Sequence, residues 1–176
     1  MNSNRTTPPG RPAGLWMLVV SFVCGLGLLT LFFEDRLGRQ FNPNQNPVSM
    51  TAQSGAQEVQ LQRNRQGHYV MSGSIDGQEA VFLLDTGATD VVVSQELAQS
   101  AGLSPGGRSL AMTANGTVSV YSTVIQELQL GSILLQDVRA SINPAMSGNT
   151  VLLGMSALRH IEFAQQGEQL TLRYLP

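Results

Sequence analysis

Lysine is missing altogether, since all ten basic residues of the 176-residue chain are arginines. Chemistry that starts from a lysine amine is therefore excluded: Schiff-base formation, a Ser-Lys dyad, a P-loop grip on phosphate. Charge of either sign is scarce as well. Asp, Glu, Lys and Arg together make up 12% of the residues, about half the share of a typical soluble domain. From Glu58 onward there are ten acids against six arginines, so no basic face exists for a nucleic acid to bind. One cysteine, Cys24, and two histidines, His68 and His160, complete the shortages. Neither a disulfide framework nor a Cys-based zinc site can be built from them, and no metal and no cofactor are expected.

What the chain does have is a long apolar run. Residues 15–33, LWMLVVSFVCGLGLLTLFF, carry no charge. As a helix they would span roughly 28 Å of a hydrocarbon core about 30 Å thick. The run is longer than the apolar region of a usual signal peptide, and Glu34-Asp35-Arg36 follows it where a small-residue cleavage site would stand. It reads as a single-pass membrane anchor rather than a cleaved signal or a buried core helix. Arg5, Arg11 and the amino terminus precede it and Arg36 and Arg39 follow it, a close balance under the positive-inside rule. The simpler orientation leaves residues 1–14 in the cytoplasm and exports the bulk of the chain. Residues 34–56, rich in Asn, Gln, Pro and Ser, are expected to form a flexible tether. Residues 57–176 are expected to form one folded domain.

Within that domain short apolar segments alternate with turn signals, which predicts an all-β architecture. Strands are expected at 58–63, 68–75, 78–84, 91–93, 110–114, 117–125, 132–142, 150–153, 161–164 and 169–175. Asp76-Gly77 and Asn115-Gly116 are two-residue turn pairs for hairpins. Residues 80–84 and 91–93 are continuously apolar, as strands covered on both faces are. One helix is predicted over 95–101, with Ser94 as its N-cap, Glu96 in its first turn and Gly102 just past its end.

Asp85-Thr86-Gly87-Ala88 lies between those two buried strands. An ionised carboxylate beside apolar strands is costly unless it is paired or hydrogen-bonded. Gly87 gives backbone amides close access to it, and Thr86 supplies a hydroxyl for a second layer of hydrogen bonds. A structural carboxylate closing a loop would look the same in isolation; the surrounding segments decide. AVFLLDTGATDVVVS resembles the active-site segment of the retropepsin-like aspartic proteases, where an apolar strand runs into Asp-Thr-Gly-Ala and out into another strand. Val151-Leu152-Leu153-Gly154, followed by a short helical stretch, resembles the element that packs beneath that loop in the same family. The hairpin around Asn115-Gly116 falls between them, in the place of the family's flap. The resemblance covers residues 57–176 and is closest to the membrane-anchored, single-domain, periplasmic bacterial branch, with its DTGATD, TANG and LLGM-type motifs.

The resemblance implies a retropepsin-like fold: a closed or partly open β-barrel with one or two short helices, preceded here by one transmembrane helix. It also implies an aspartic endopeptidase. Two carboxylates face each other across a water; like charges so close share a proton, and one acts as base while the other donates to the scissile carbonyl. Asp90, Asp76 and Asp137 lack the loop context, so the second carboxylate is expected from the Asp85 of another copy, in a two-fold homodimer. Asp85, Thr86 and Gly87 are the catalytic candidates, with Thr86 carrying the family's hydroxyl contact across the axis. Ala88, Asp90, Thr113, Ala114, Asn115 and Gly116 are the candidates for binding an extended peptide or protein substrate beneath the flaps. Two departures stand out: the family's viral members usually have an acid and an arginine where this chain has Thr89 and Met155. Asp90 is thus left without an assigned partner, Arg159 being the nearest guess, and as a plain turn acid it would need none.

His68 and His160 read as surface or core residues. Ser156 in Gly154-Met155-Ser156-Ala157-Leu158 lacks the closing glycine of a nucleophile elbow, and the methionines form no helical stripe. The expected protein is a bacterial inner-membrane endopeptidase with its catalytic domain in the periplasm. The rival is a non-catalytic dimeric module that holds extended peptides on the same fold.

Overall fold

A computed structural model describes residues 11–52, 54–113 and 116–176. The chain divides into two units, Met1–Gly38 and Arg39–Pro176. The first is occupied by helix α1 (Arg11–Phe41), whose last turn runs into the second. Its apolar side chains, from Leu15 to Phe33, are all exposed. Gly14–Phe41 is long and apolar enough to cross a membrane.

In place of the flexible tether expected at 34–56, the structure has the end of α1, a buried Asn pair and a strand, β1 (Val48–Thr51). The asparagines that read as linker composition bond to backbone instead. Asn44 Nδ2 donates to the carbonyls of Val70 and Gln62 at 2.6 and 2.9 Å, and its Oδ1 accepts from Gln62 N at 2.7 Å. Asn64 Nδ2 donates to Phe41 O at 2.9 Å. Segment 41–44 is thereby fastened to the domain before β1 begins.

β1 opens an antiparallel sheet of order β1-β2-β11-β10, with β2 (Gln57–Gln62), β10 (Glu162–Gln166) and β11 (Gln169–Tyr174). The other strands form one larger sheet: β3 (Val70–Ile75), β4 (Gln78–Leu84), β5 (Val91–Ser94), β6 (Arg108–Thr113), β7 (Gly116–Leu130), β8 (Ile133–Asn143) and β9 (Thr150–Leu153), in the order β3-β4-β9-β5-β8-β7-β6. β3 pairs with β7 as well as with β4, which closes the sheet on itself and leaves β6 outside the ring. The turn joining β3 to β4 has Asp76 and Gly77 both at positive φ, 46° and 79°, the geometry that a two-residue hairpin turn requires.

Burial follows from this topology. β4 and β5 are internal strands, and Phe82, Val91 and Val93 are buried with Val151 and Leu153 of β9. The ribbon β7–β8 switches its inward face midway: Ile125 gives way to Leu128 on one strand and Leu135 to Val138 on the other, where Asp137 has φ 52°. Beyond that switch Ala140 and Ile142 point inward, so Arg139, Ser141 and Asn143 share the opposite face of β8. Helix α2 (Gln95–Ser100) starts where expected, with Ser94 Oγ accepting from Leu97 N. A second short helix, α3 (Met155–Leu158), follows Gly154.

Candidate active site

β4 ends where Asp85 begins, and both sides of that junction are fixed by backbone bonds. Leu84 N donates to Tyr69 O at 3.0 Å and Asp85 N to Leu153 O at 3.1 Å. The loop from Asp85 to Asp90 then folds on itself: Gly87 N donates to Asp85 Oδ1 at 2.9 Å, and Ala88 N to Asp85 O at 3.2 Å. The amide at 87 thus orients the carboxylate. Thr86 and Gly87 are exposed, and Asp85 is half-buried.

The start of α3 supports this loop from beneath. Met155 N donates to Ala88 O and Ser156 N to Thr89 O, at 2.8 and 2.9 Å. Ser156 Oγ, deeply buried, accepts from Val91 N at 2.9 Å. The seryl group that fails as a nucleophile elbow is therefore the acceptor for the first amide of β5. Gly154 makes this stacking possible. A Cβ there would overlap the carbonyl of Asp90 and come within 2.7 Å of Ala88 O, so no side chain fits under the loop.

Asp90 closes the loop with a partner the sequence did not reveal. Arg139, 49 positions away on β8, donates from Nε to Asp90 Oδ1 at 2.8 Å and places Nη2 at 2.8 Å from the same oxygen. Ser141 Oγ lies 3.4 Å from Oδ2. Arg159 is engaged elsewhere: it caps α3, and its Nε donates to His160 Nε2 at 3.0 Å. No local pattern announces a pair formed between a loop and the far end of a strand. The one usable signal was that Arg139 falls on the same alternating face as Ser141 and Asn143.

The hairpin β6–β7 stands over the loop. Thr113 pairs with Gly116, which begins β7 at φ 110°. Gly116 therefore belongs to β7, whereas Ala114 and Asn115 lie outside the described residues. Met112 on β6 is 92% exposed and Leu110 71%, unusual for large apolar side chains on a strand. Between hairpin and loop is a cleft of about 760 Å³. Asp85, Gly87, Ala88, Thr89 and Asp90 line it from the loop, 109–113, Val118 and Val120 from the hairpin, and Val92 and Leu152 from the floor. Asp85, Gly87, Ala88, Asp90 and Thr113 thus share one cavity, whereas Thr86 and Gly116 stand outside its lining. Among the described residues no group of three His, Cys, Asp or Glu side chains is placed to hold a metal.

This arrangement is shared with known proteins. The family model described as "gag-polyprotein putative aspartyl protease" matches residues 71–160, which include the loop, the hairpin and the Gly154 support. A Sinorhizobium sp protein, described as an uncharacterized protein in the cobV 5′ region, is 30% identical over 175 residues, covering 93% of this chain and 72% of its own length. The crystal structure of a retropepsin-like aspartic protease from Rickettsia conorii overlays with a TM-score of 0.56 at 21% identity, over 73% of this chain and 94% of that one. The mostly β fold, the Asp-Thr-Gly loop propped by Gly154 and the match over more than half of the sequence lead to one assignment: this chain belongs to the gag-polyprotein aspartyl protease family, the retropepsin-like aspartic proteases.

Proposed function

We propose that the protein is a membrane-anchored aspartic endopeptidase whose active centre is completed by a second copy of the chain, one Asp85 coming from each. The observation that carries this reading is the state of Asp85 in a single chain. Its carboxylate is oriented by Gly87 N in the lining of a cleft of about 760 Å³, and Asp90, the one other acid lining that cleft among the described residues, is tied to Arg139. A water needs a base on one side and a proton donor at the substrate carbonyl on the other. One carboxylate cannot be both at once; a pair sharing a proton can.

In the paired centre the unprotonated Asp85 takes a proton from water as the water oxygen attacks the carbonyl carbon. The protonated Asp85 gives its proton to the carbonyl oxygen. The resulting tetrahedral diol collapses as a proton passes to the nitrogen, the C–N bond breaks, and an acid and an amine leave. Thr86, exposed beside Asp85, is placed in this reading at the contact between the two loops. The substrate lies as an extended strand between the loop and hairpin β6–β7, with the exposed Leu110 and Met112 covering it. α1 holds the chains in a bacterial inner membrane with the domain on the periplasmic side. Confinement to a membrane raises their effective concentration and favours pairing.

Pairing makes activity depend on concentration. When the full chain in detergent is diluted against an unfolded protein substrate, cleavage per chain is expected to fall steeply once dilution passes the pairing constant. Restoring the chain to vesicles should recover it. Activity per chain that stays constant down to concentrations where sedimentation shows only monomers would eliminate the shared centre. A chain that binds unfolded protein without cutting it would instead be the non-catalytic module.

A further inference from the structure

Asp85 and Asp90 are the two ionisable side chains lining the cleft among the described residues, and they are held very differently. Asp85 is oriented by a backbone amide. Asp90 is engaged end-on: Nε and Nη2 of Arg139 both approach Oδ1 at 2.8 Å, while Oδ2 receives only the long 3.4 Å contact of Ser141. The carboxylate therefore keeps one oxygen for a ligand while its charge is offset by an adjoining guanidinium. The floor beside it is apolar, built by Val92, Val120 and Leu152, and Ser141 and Asn143 supply uncharged polar groups.

We infer that Arg139 is a specificity-setting residue: by neutralising Asp90 it makes the polar corner of the cleft select a neutral hydrogen-bonding side chain, Ser, Thr, Asn or Gln, and reject Lys or Arg. This rests on the endopeptidase reading for its substrate class, a peptide. A hydroxyl or primary amide can donate to Oδ2 and exchange bonds with Ser141 without needing a net charge. A lysine or arginine side chain reaching the same oxygen would come up against the Arg139 guanidinium, and like charges at such range repel. Remove Arg139 and the same corner holds an uncompensated acid, which attracts a cation. Arg139 is a positioning residue: it touches Asp90, and Asp90 touches the substrate.

The full chain in detergent would be given a position-scanned peptide library, and the ratio of kcat/KM for Gln-containing against Arg-containing peptides read at each position. At one position the wild type should favour Gln, and Arg139→Gln should move that ratio toward Arg by roughly fivefold to tenfold, in line with one charge-assisted contact on a partly exposed site. Arg139→Lys keeps the charge and should keep the wild-type preference. Adding Asp90→Asn to Arg139→Gln should erase the gain for Arg. A role in folding alone would lower every peptide equally and leave the ratio untouched. The same peptides would be titrated by fluorescence anisotropy onto the full chain carrying Asp85→Asn, with and without Arg139→Gln, so that preference is read without hydrolysis. A profile that Arg139→Gln leaves unchanged in both measurements overturns the inference. Failure of the wild type to cut any peptide counts against the endopeptidase reading, while the binding ratio still decides the role of Arg139.

Discussion

Asp85→Asn is expected to reduce cleavage by about a thousandfold or more, because it removes both the base and the shared proton of the pair. The substitution is nearly isosteric, and Asn Oδ1 can still accept from Gly87 N as Asp85 Oδ1 does at 2.9 Å. Stability and self-association should therefore stay close to wild type. The variant separates chemistry from folding, and an unchanged thermal midpoint with lost cleavage is the expected pair of readings. Residual cleavage within a few-fold of wild type would move the chemistry away from this loop.

Gly154→Ala should do the opposite, damaging the fold and the site together. The added methyl would overlap the carbonyl of Asp90 and stand within 2.7 Å of that of Ala88. Relief requires separating α3 from the loop, which breaks the bonds from Met155 N to Ala88 O and from Ser156 N to Thr89 O. Backbone offers none of the give that a flexible side chain would. A loss of about 3 kcal/mol or more is expected, at the upper end for an overpacked site, read as a shift of the urea midpoint. Cleavage should fall as well, because the loop that carries Asp85 loses its support. A midpoint within 0.5 kcal/mol of wild type, the ordinary range for harmless surface changes, would contradict this description of the loop.

These two residues were both visible in the sequence, and the reason is local. The apolar runs AVFLL and VVV gave away the strands on either side of Asp85, and the resemblance of Leu152-Leu153-Gly154 to the family's supporting element pointed to the segment beneath it. Patterns confined to ten or fifteen residues record neighbours along the chain and little else. The Asp90–Arg139 pair spans 49 positions and was missed. Arg159, adjacent to the second motif in sequence, bonds to His160 instead, so nearness along the chain does not identify the partner of Asp90. Segment 42–51 misled for another reason. Its Asn, Gln and Pro content is that of a linker, yet Asn42 and Asn44 are buried and β1 is paired to β2 throughout its length. Composition counts the polar groups of such a segment, and fold depends on whether backbone partners await them. Leu110 and Met112, two positions apart on β6, share one face of the strand, and that face is exposed. Both line the cleft above the Asp85 loop.

Mixing decides the central question, whether two chains share one centre. Wild-type and Asp85→Asn full chains would be combined in detergent at fixed total concentration, allowed to exchange, and assayed for cleavage. If both carboxylates of a random pair are needed, activity follows the square of the wild-type fraction, and an equal mixture retains about one quarter of the wild-type rate. An equal mixture that retains half, with activity linear in the wild-type fraction after full exchange, would mean that each chain works alone.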